Sequence, residues 1–373
     1  MARAPAQDDD EALPEADRFD AYPHPRETRS LMGHAAAERE LAEAFASGRM
    51  HHAWLIVGPE GIGKATLAYR LARHVLARPA ERDATGGSLE IAPDAATARL
   101  IRALSHPALL VLRRPYDVRS KRHAVSIPVD EVRRLKSFLG LTAAEDTWRV
   151  VIVDAADELN VNAANALLKS LEEPPKRALF LLIAAQPSRL LPTVRSRCRR
   201  LYLAPLSGGA LRQAVEAALT AAEMEMPDAD RWPLLERLAE GSVRRALLLA
   251  GSGGLELYER IAALLAALPQ VDWPAAHALA DQLAMPANEQ RFEAFFDLLL
   301  ELIGRLVHAR ALGCTGAPEA ALAGRLMGEA RLPAWAALWE DVGRERADAV
   351  LLNLDKRALV LGTFAKLESI AQL

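Results

Sequence analysis

Apolar residues along this chain fall into two patterns, and the change between them divides the molecule. Up to about residue 205, short unbroken apolar runs alternate with stretches of helical spacing. The runs are Ala53-Trp-Leu-Ile-Val57, Leu109-Leu-Val-Leu112, Val150-Val-Ile-Val153 and Leu179-Phe-Leu-Leu-Ile183. Each is too short for a helix and lacks alternation, which predicts strands buried on both faces. Around the first of them Leu41, Ala44 and Phe45, then Leu67, Leu71 and Val75, recur at helical spacing. A strand–helix series of this kind predicts an α/β fold with a mostly parallel sheet and helices on both faces. Beyond Pro205 the pattern is almost wholly helical. There Phe292, Phe295, Phe296, Leu299, Leu300 and Ile303 mark one densely apolar helix. Such a surface is more than a lone helix can hide, and predicts packing against its own partners or against neighbouring subunits.

Residues 1–28 are rich in Asp, Glu, Pro and Ala and lack periodicity, so they read as a flexible acidic tail. The segment 78–95 carries Pro79, Gly86, Gly87 and Pro93 and reads as a loop insertion. Gly251-Ser-Gly-Gly254 reads as a joint between a small helical piece and a larger one.

Composition sharpens this picture in a few places. Aromatic residues make up only 5% of the chain against 51% hydrophobic, so the cores are built from Ala, Leu and Val. Ala and Leu lose little on entering a helix. A net charge of −3 over 373 residues leaves no whole-chain nucleic-acid footprint, and any such contact must come from a local patch. Cys198 and Cys314 are too few and too far apart for a disulfide framework or a four-ligand zinc site. The N-terminus runs from Met-Ala-Arg-Ala-Pro into Asp8, Asp9, Asp10 and Glu11, unlike a secretory signal. No uncharged apolar stretch is long enough to span a bilayer. A cytoplasmic protein without a membrane partner is expected.

Gly58-Pro-Glu-Gly61-Ile-Gly63-Lys64-Ala65-Thr66 has Walker A spacing up to the lysine. Its glycines let the backbone wrap closely around phosphate oxygens, and Lys64 reaches the outer phosphates. A strand precedes the loop and a helix follows, whose positive N-terminal end suits an anion. The next position should give a hydroxyl to Mg²⁺, but Ala65 has none. Thr66 lies roughly 100° further around the helix and is a poor substitute. Val150-Val-Ile-Val153-Asp154 has the shape of a Walker B strand, with Asp154 placed to meet a metal ion. The glutamate that would follow it to orient water is replaced by Ala155, and Asp157 and Glu158 are read as pointing elsewhere. Asp154 then also fits a turn or capping role, and the loop a plain strand-to-helix turn. ATP with Mg²⁺ is an open but doubtful cofactor. His51 and His52 have no carboxylate or cysteine at ligand spacing and read as capping or packing residues.

Asn162-Ala-Ala-Asn-Ala-Leu-Leu-Lys-Ser-Leu-Glu-Glu-Pro-Pro175, followed by Leu191-Pro-Thr-Val-Arg-Ser-Arg-Cys198, is more specific than either Walker motif. Ala163, Ala166, Leu167 and Leu171 give that helix an apolar stripe, and Pro174 and Pro175 stop it. These two stretches resemble the AAA+ core of bacterial DNA polymerase III clamp-loader subunits, well over residues 30–250 and loosely beyond. The Ser105-His-Pro107 turn, Ile127-Pro-Val-Asp-Glu-Val-Arg133 and Leu352-Asn-Leu-Asp-Lys356 favour a ring member other than the motors.

The resemblance implies an AAA+ P-loop core over 29–206, a helical lid over 207–254 and a helical collar over 255–373. It implies gamma/tau motor subunits and a delta subunit as partners, with the sliding clamp and primed DNA reached through the assembled complex. Family members often carry a four-cysteine zinc module after the P-loop helix; residues 78–110 contain no cysteine, so no zinc is expected. The polar sensor after the strand at 179–183 is reduced to Gln186 in Ala184-Ala-Gln-Pro187.

Within Ser196-Arg197-Cys198 the resemblance makes Arg197 an arginine finger acting in trans on a neighbouring motor; the plain alternative is a surface cation or a partner for a carboxylate. Arg244 resembles the second nucleotide sensor, or is an ordinary solvated arginine. Pro174 to Pro205 holds Lys176, Arg177, Arg189, Arg195, Arg197, Arg199 and Arg200 and no acid. That patch, with Arg195, Arg199 and Arg200 foremost, would face DNA or a partner, or simply solvent. The rival function is an active gamma/tau-type clamp-loader ATPase, against which Ala65 and Ala155 stand. The expected chain is therefore not catalytic by itself.

Overall fold

The computed structural model describes residues 13–19, 22–82, 88–92, 94–140, 147–251, 253–313, 318–328, 331–352 and 354–372. The chain forms two compact units, one up to Leu247 and one from Leu248.

In the first unit the elements run α1 (Ala35–Ala46), β1 (Ala53–Val57), α2 (Lys64–Leu76), α3 (Ala96–Arg102) and β2 (Leu109–Leu112). A small hairpin follows, β3 (Tyr116–Asp117) and β4 (Arg122–His123), then α4 (Val129–Gly140), β5 (Arg149–Asp154) and α5 (Val161–Glu172). The unit continues with β6 (Ala178–Ala184), α6 (Pro192–Arg195), β7 (Arg199–Tyr202), α7 (Gly208–Ala221) and α8 (Trp232–Ala239), and the next helix is α9 (Val243–Gly251). The sheet has the order β2-β5-β6-β1-β7. All its pairings are parallel, with Leu55 beside Leu182 and Val153 beside Leu182 from the other side. Every residue of β1 and β6 is buried, as unbroken apolar runs require in a sheet covered on both faces.

All four strands read from the sequence are present. β7 escapes such a reading because Arg199, Arg200 and Tyr202 are exposed and only Leu201 is buried, the signature of an edge strand. Asn160 caps α5, its Oδ1 accepting the Ala163 N–H at 2.8 Å. The helix ends before Pro174. Its buried residues are Ala163, Ala164, Leu167 and Leu171, so Ala164 takes the inward place expected of Ala166. In the segment read as a loop insertion, Pro79–Glu81 forms a helical turn and Arg82 bridges to Ile91; Gly86, Gly87 and Pro93 lie outside the described residues.

Of the stretch read as a flexible tail, residues 1–12, 20 and 21 lie outside the described residues and Leu13 and Pro14 are exposed, but residues 15–19 and 22–28 are partly or fully buried. Tyr22, His24 and Arg26 are buried. Charge explains the difference: Glu15 and Asp17 pair with Arg113 from elsewhere in the unit, and Glu15 also with the buried Arg26 of the same segment.

The second unit consists of α10 (Gly254–Ala267), α11 (Trp273–Leu283), α12 (Glu289–Ala311), α13 (Pro318–Leu326), α14 (Leu332–Leu352) and α15 (Lys356–Gln372). α12 is its central helix, packing on α10, α13 and α14, while α11 packs on α15. Phe292, Phe295, Phe296, Leu299 and Ile303 are fully or almost fully buried, with Phe295 and Phe296 edge to face at 4.9 Å. The dense apolar surface is therefore covered by helices of its own unit. No described helix is long and apolar enough to cross a membrane.

A candidate P-loop cleft

The carboxyl end of the parallel sheet opens into a cleft of about 620 Å³. One wall is the loop 60–66, another is Asp154, Ala155, Asp157 and Glu158 beyond β5, and a third is formed by alanines of α7. The predicted Gly58, Gly61, Gly63, Lys64, Thr66 and Asp154 thus converge on one place, apart from Gly58, which sits just behind it. Arg244 joins them from α9.

Gly61 has a φ of +76°, which disfavours any residue with a side chain. A Cβ there would meet the Ser242 hydroxyl and the Arg244 side chain. This glycine lets the backbone of 242–244 close on the loop. Val243 N–H donates to the Gly61 carbonyl at 2.9 Å, and the Ser242 hydroxyl donates to that of Glu60 at 2.8 Å.

Three cations of the cleft, Lys64, Arg114 and Arg244, are engaged within the chain. Lys64 Nζ donates to the Gly58 carbonyl at 2.7 Å and to that of Pro59. Burial holds its ammonium below the ordinary value, against the opposing charges of Asp154 and Glu60. Arg114 lies 2.9 Å from Glu158. The Arg244 guanidinium sits 5.0 Å over the Phe19 ring and 3.4 Å from Glu60.

The Asp154 carboxyl is pushed up to about 7, first by burial and then by the negative charge of Asp17; Lys64 and Arg113 oppose this. Ala65 and Ala155 line the cleft with methyl groups where the motifs would place oxygen, and Thr66 is buried at the wall. Asp157, read as pointing away, is part of the wall. Its Oδ2 accepts the backbone N–H groups of Ala185 at 2.9 Å and Gln186 at 2.6 Å, tying the end of β6 to the end of β5.

No motif signals what the N-terminal segment does here. Arg113 binds Asp17 and Glu15, each at 2.7 Å, and Arg26 binds Glu15 at 2.6 Å. His24 lies 3.1 Å from Asp17. Phe19 stacks on Tyr22 at 4.8 Å, and both rings line the cleft. The acids and the arginines are both visible in the sequence; their pairing over nearly a hundred residues is not.

Arg197 lies away from the cleft, between α6 and β7, half-exposed. It pairs with Glu172 at 2.6 Å. The basic stretch is divided rather than shared. Arg199 pairs with Glu40 at 2.7 Å and covers the Trp54 ring at 4.7 Å, Arg200 is exposed, Arg195 is half-buried, and Arg189 lines the cleft. His51 and His52 stack on each other at 4.4 Å and bond to the backbone of Ala53 and Leu171. Cys198 is buried, and burial raises its thiol to about 12; Cys314 lies outside the described residues.

A parallel sheet with a P-loop after its inner strand, an acidic strand end beside it and a helical segment closing on the loop define an α/β P-loop core. Residues 33–207 match the family described as DNA polymerase III, delta subunit. A DNA polymerase III subunit delta' of Pseudomonas aeruginosa is 41% identical over 205 residues, 54% of this chain and 56% of that protein. The subunit delta' of Escherichia coli is 33% identical over 236 residues, 63% of this chain and 65% of that protein. An E. coli subunit tau is 27% identical over 304 residues, 77% of this chain and 44% of that protein. Over its core the chain is similar to DNA polymerase III clamp-loader subunits, and the two delta' relatives match it there at higher identity than the tau relative does. The chain spans 56% and 65% of the lengths of the two delta-prime relatives.

Proposed function

We propose that the chain works as a delta-prime-type subunit of a DNA polymerase III clamp loader, helping to place a sliding clamp on primed DNA in the cytoplasm. The observation that carries this is the composition of the cleft: the cradle of a P-loop is kept, while Ala65 and Ala155 stand where a magnesium ligand and a water-orienting carboxylate would be needed. This donor set does not fit magnesium-bound ATP, and no hydrolytic step is assigned to it.

The chemistry left to the chain lies outside the cleft. Arg197 is the group that serves a neighbouring gamma/tau motor: a guanidinium with fixed charge, suited to phosphoryl oxygens. Such a finger is worth about 10³–10⁵ in rate. The delta subunit is the other partner, and Arg195, Arg199 and Arg200 form the face turned to DNA or a partner. The core, lid and collar divide at about residues 206 and 254.

ATP hydrolysis by the purified chain, with Mg²⁺ and primed DNA, tests this reading. No turnover is expected alone, and Arg197→Ala in the reconstituted loader is expected to collapse DNA-stimulated turnover to a small residual rate with assembly intact. Turnover by the chain alone, lost in Lys64→Ala, would instead make it a gamma/tau-type motor.

A further inference from the structure

Leu171, Val194 and Cys198 are buried together in one hydrophobic cluster of the first unit. Glu172 follows the first of these in sequence and Arg197 precedes the last. Anchoring Leu171 and Cys198 in one cluster, with α5 packed on α6, therefore brings Glu172 and Arg197 to the surface side by side. Arg197 Nη2 lies 2.6 Å from Glu172 Oε1. Nη1 donates to the Thr193 carbonyl at 2.9 Å and reaches Ser196 Oγ at 3.4 Å.

An arginine has five N–H donors in one plane. Three acceptors of its own chain hold Arg197, which leaves two donors for a ligand arriving from solvent. An ion pair this exposed adds little to stability. What it fixes is the direction of a long, otherwise mobile side chain, and prior orientation is what a group acting on a transition state needs.

We propose that Glu172 is the positioning residue of Arg197, holding the guanidinium so that its remaining N–H groups face the phosphoryl oxygens of a nucleotide bound to a neighbouring subunit. This rests on the reading of Arg197 as acting in trans. Glu172 touches no nucleotide; it acts through Arg197.

The test is ATP turnover by the loader reconstituted with motor subunits, primed DNA and each variant, over a range of ATP. Glu172→Ala is expected to lower kcat by about tenfold with KM for ATP little changed. Glu172→Gln, which keeps an acceptor oxygen, is expected to restore most of that loss. In an Arg197→Ala background, Glu172→Ala is expected to have no further effect, because the two act as one unit. If Arg197→Ala collapses turnover and Glu172→Ala leaves kcat unchanged, the positioning role is overturned and the trans reading stands. If Arg197→Ala itself leaves turnover unchanged, the trans reading falls, and this role with it. A loss that Gln does not restore and that persists without Arg197 would also overturn the role.

Discussion

Arg113 Nη1 lies 2.7 Å from the carboxylate of Asp17, a residue 96 positions earlier in the chain. Its other terminal nitrogen reaches Glu15, so one guanidinium holds two acids of the N-terminal segment. Burial by itself would raise both carboxyls. The close approach of His24 to Asp17, the hydrogen bonds from Arg26 and Arg113 to Glu15 and the charge of Arg113 outweigh it and leave both below their ordinary values. Native values below the unfolded ones mean that the stabilisation is complete above the ordinary carboxylate range. It is lost as pH falls through the native values, below the ordinary carboxylate range. Arg113→Ala should cost about 2 kcal/mol at neutral pH and remove much of this acid-sensitive part. Thermal melts from pH 7 to 3 check it: the gap between wild type and variant should narrow on acidification.

Asp154 has the opposite sign. Its carboxyl, raised to about 7, keeps a proton that the unfolded chain releases near the ordinary carboxylate value of about 4. Stability attributable to this group therefore falls as pH rises between those values. An asparagine side chain at the same position has no titrating proton and shows no such fall. Asp154→Asn should gain on wild type by about 2 kcal/mol between pH 4 and 8, after allowance for the partial exposure of the site. Denaturant midpoints at the two pH values measure it.

Gly61→Ala should lower the melting temperature, with a loss of about 2 kcal/mol. Both the positive φ and the contact with Ser242 and Arg244 oppose a methyl group there. Gly48, whose φ of +69° is similar but whose Cβ would meet nothing within 4 Å, provides the control: Gly48→Ala isolates the backbone term. A loss at Gly61 no larger than that at Gly48 would rule out the crowding.

What the sequence discloses follows from how local each signal is. The strands of the sheet interior are legible because a strand buried on both faces must be apolar throughout, as Leu179 to Ile183 are. β7 is not, since an edge strand needs only Leu201 inward and shows arginines elsewhere. The P-loop is legible from spacing alone. Asp157 is misplaced by such a reading because its role depends on Ala185 and Gln186 coming alongside, a distance of 28 residues closed only by sheet pairing. Gly61 reads as a phosphate-loop glycine, whereas its hydrogen bond from Val243 shows that it also serves the packing of the 242–244 segment. The N-terminal acids mislead for the same reason: a carboxylate looks solvated until its arginine is found.

Cys198 should resist modification. Its thiol is buried and its acidity is suppressed to about 12, so almost no thiolate exists at neutral pH. In a Cys314→Ser background, iodoacetamide at pH 8 should label the folded chain at least about a hundredfold more slowly than the chain in urea. Mass spectrometry of timed samples would show it, and equal rates in the two states would disprove the burial.

The alanines at 214, 217, 218 and 221 share one face of α7 and give the cleft a wall made of methyl groups. Space left beside a methyl wall is packing that the molecule does without. A single Ala218→Leu would extend into it, and each added methylene that became buried would contribute about 0.8 kcal/mol. The same side chain would crowd the cleft against any ligand. Variants selected for heat resistance and variants selected to bind a ligand in this cleft would thus diverge at the same helix face, and a thermostability screen would tend to erase what remains of the binding site.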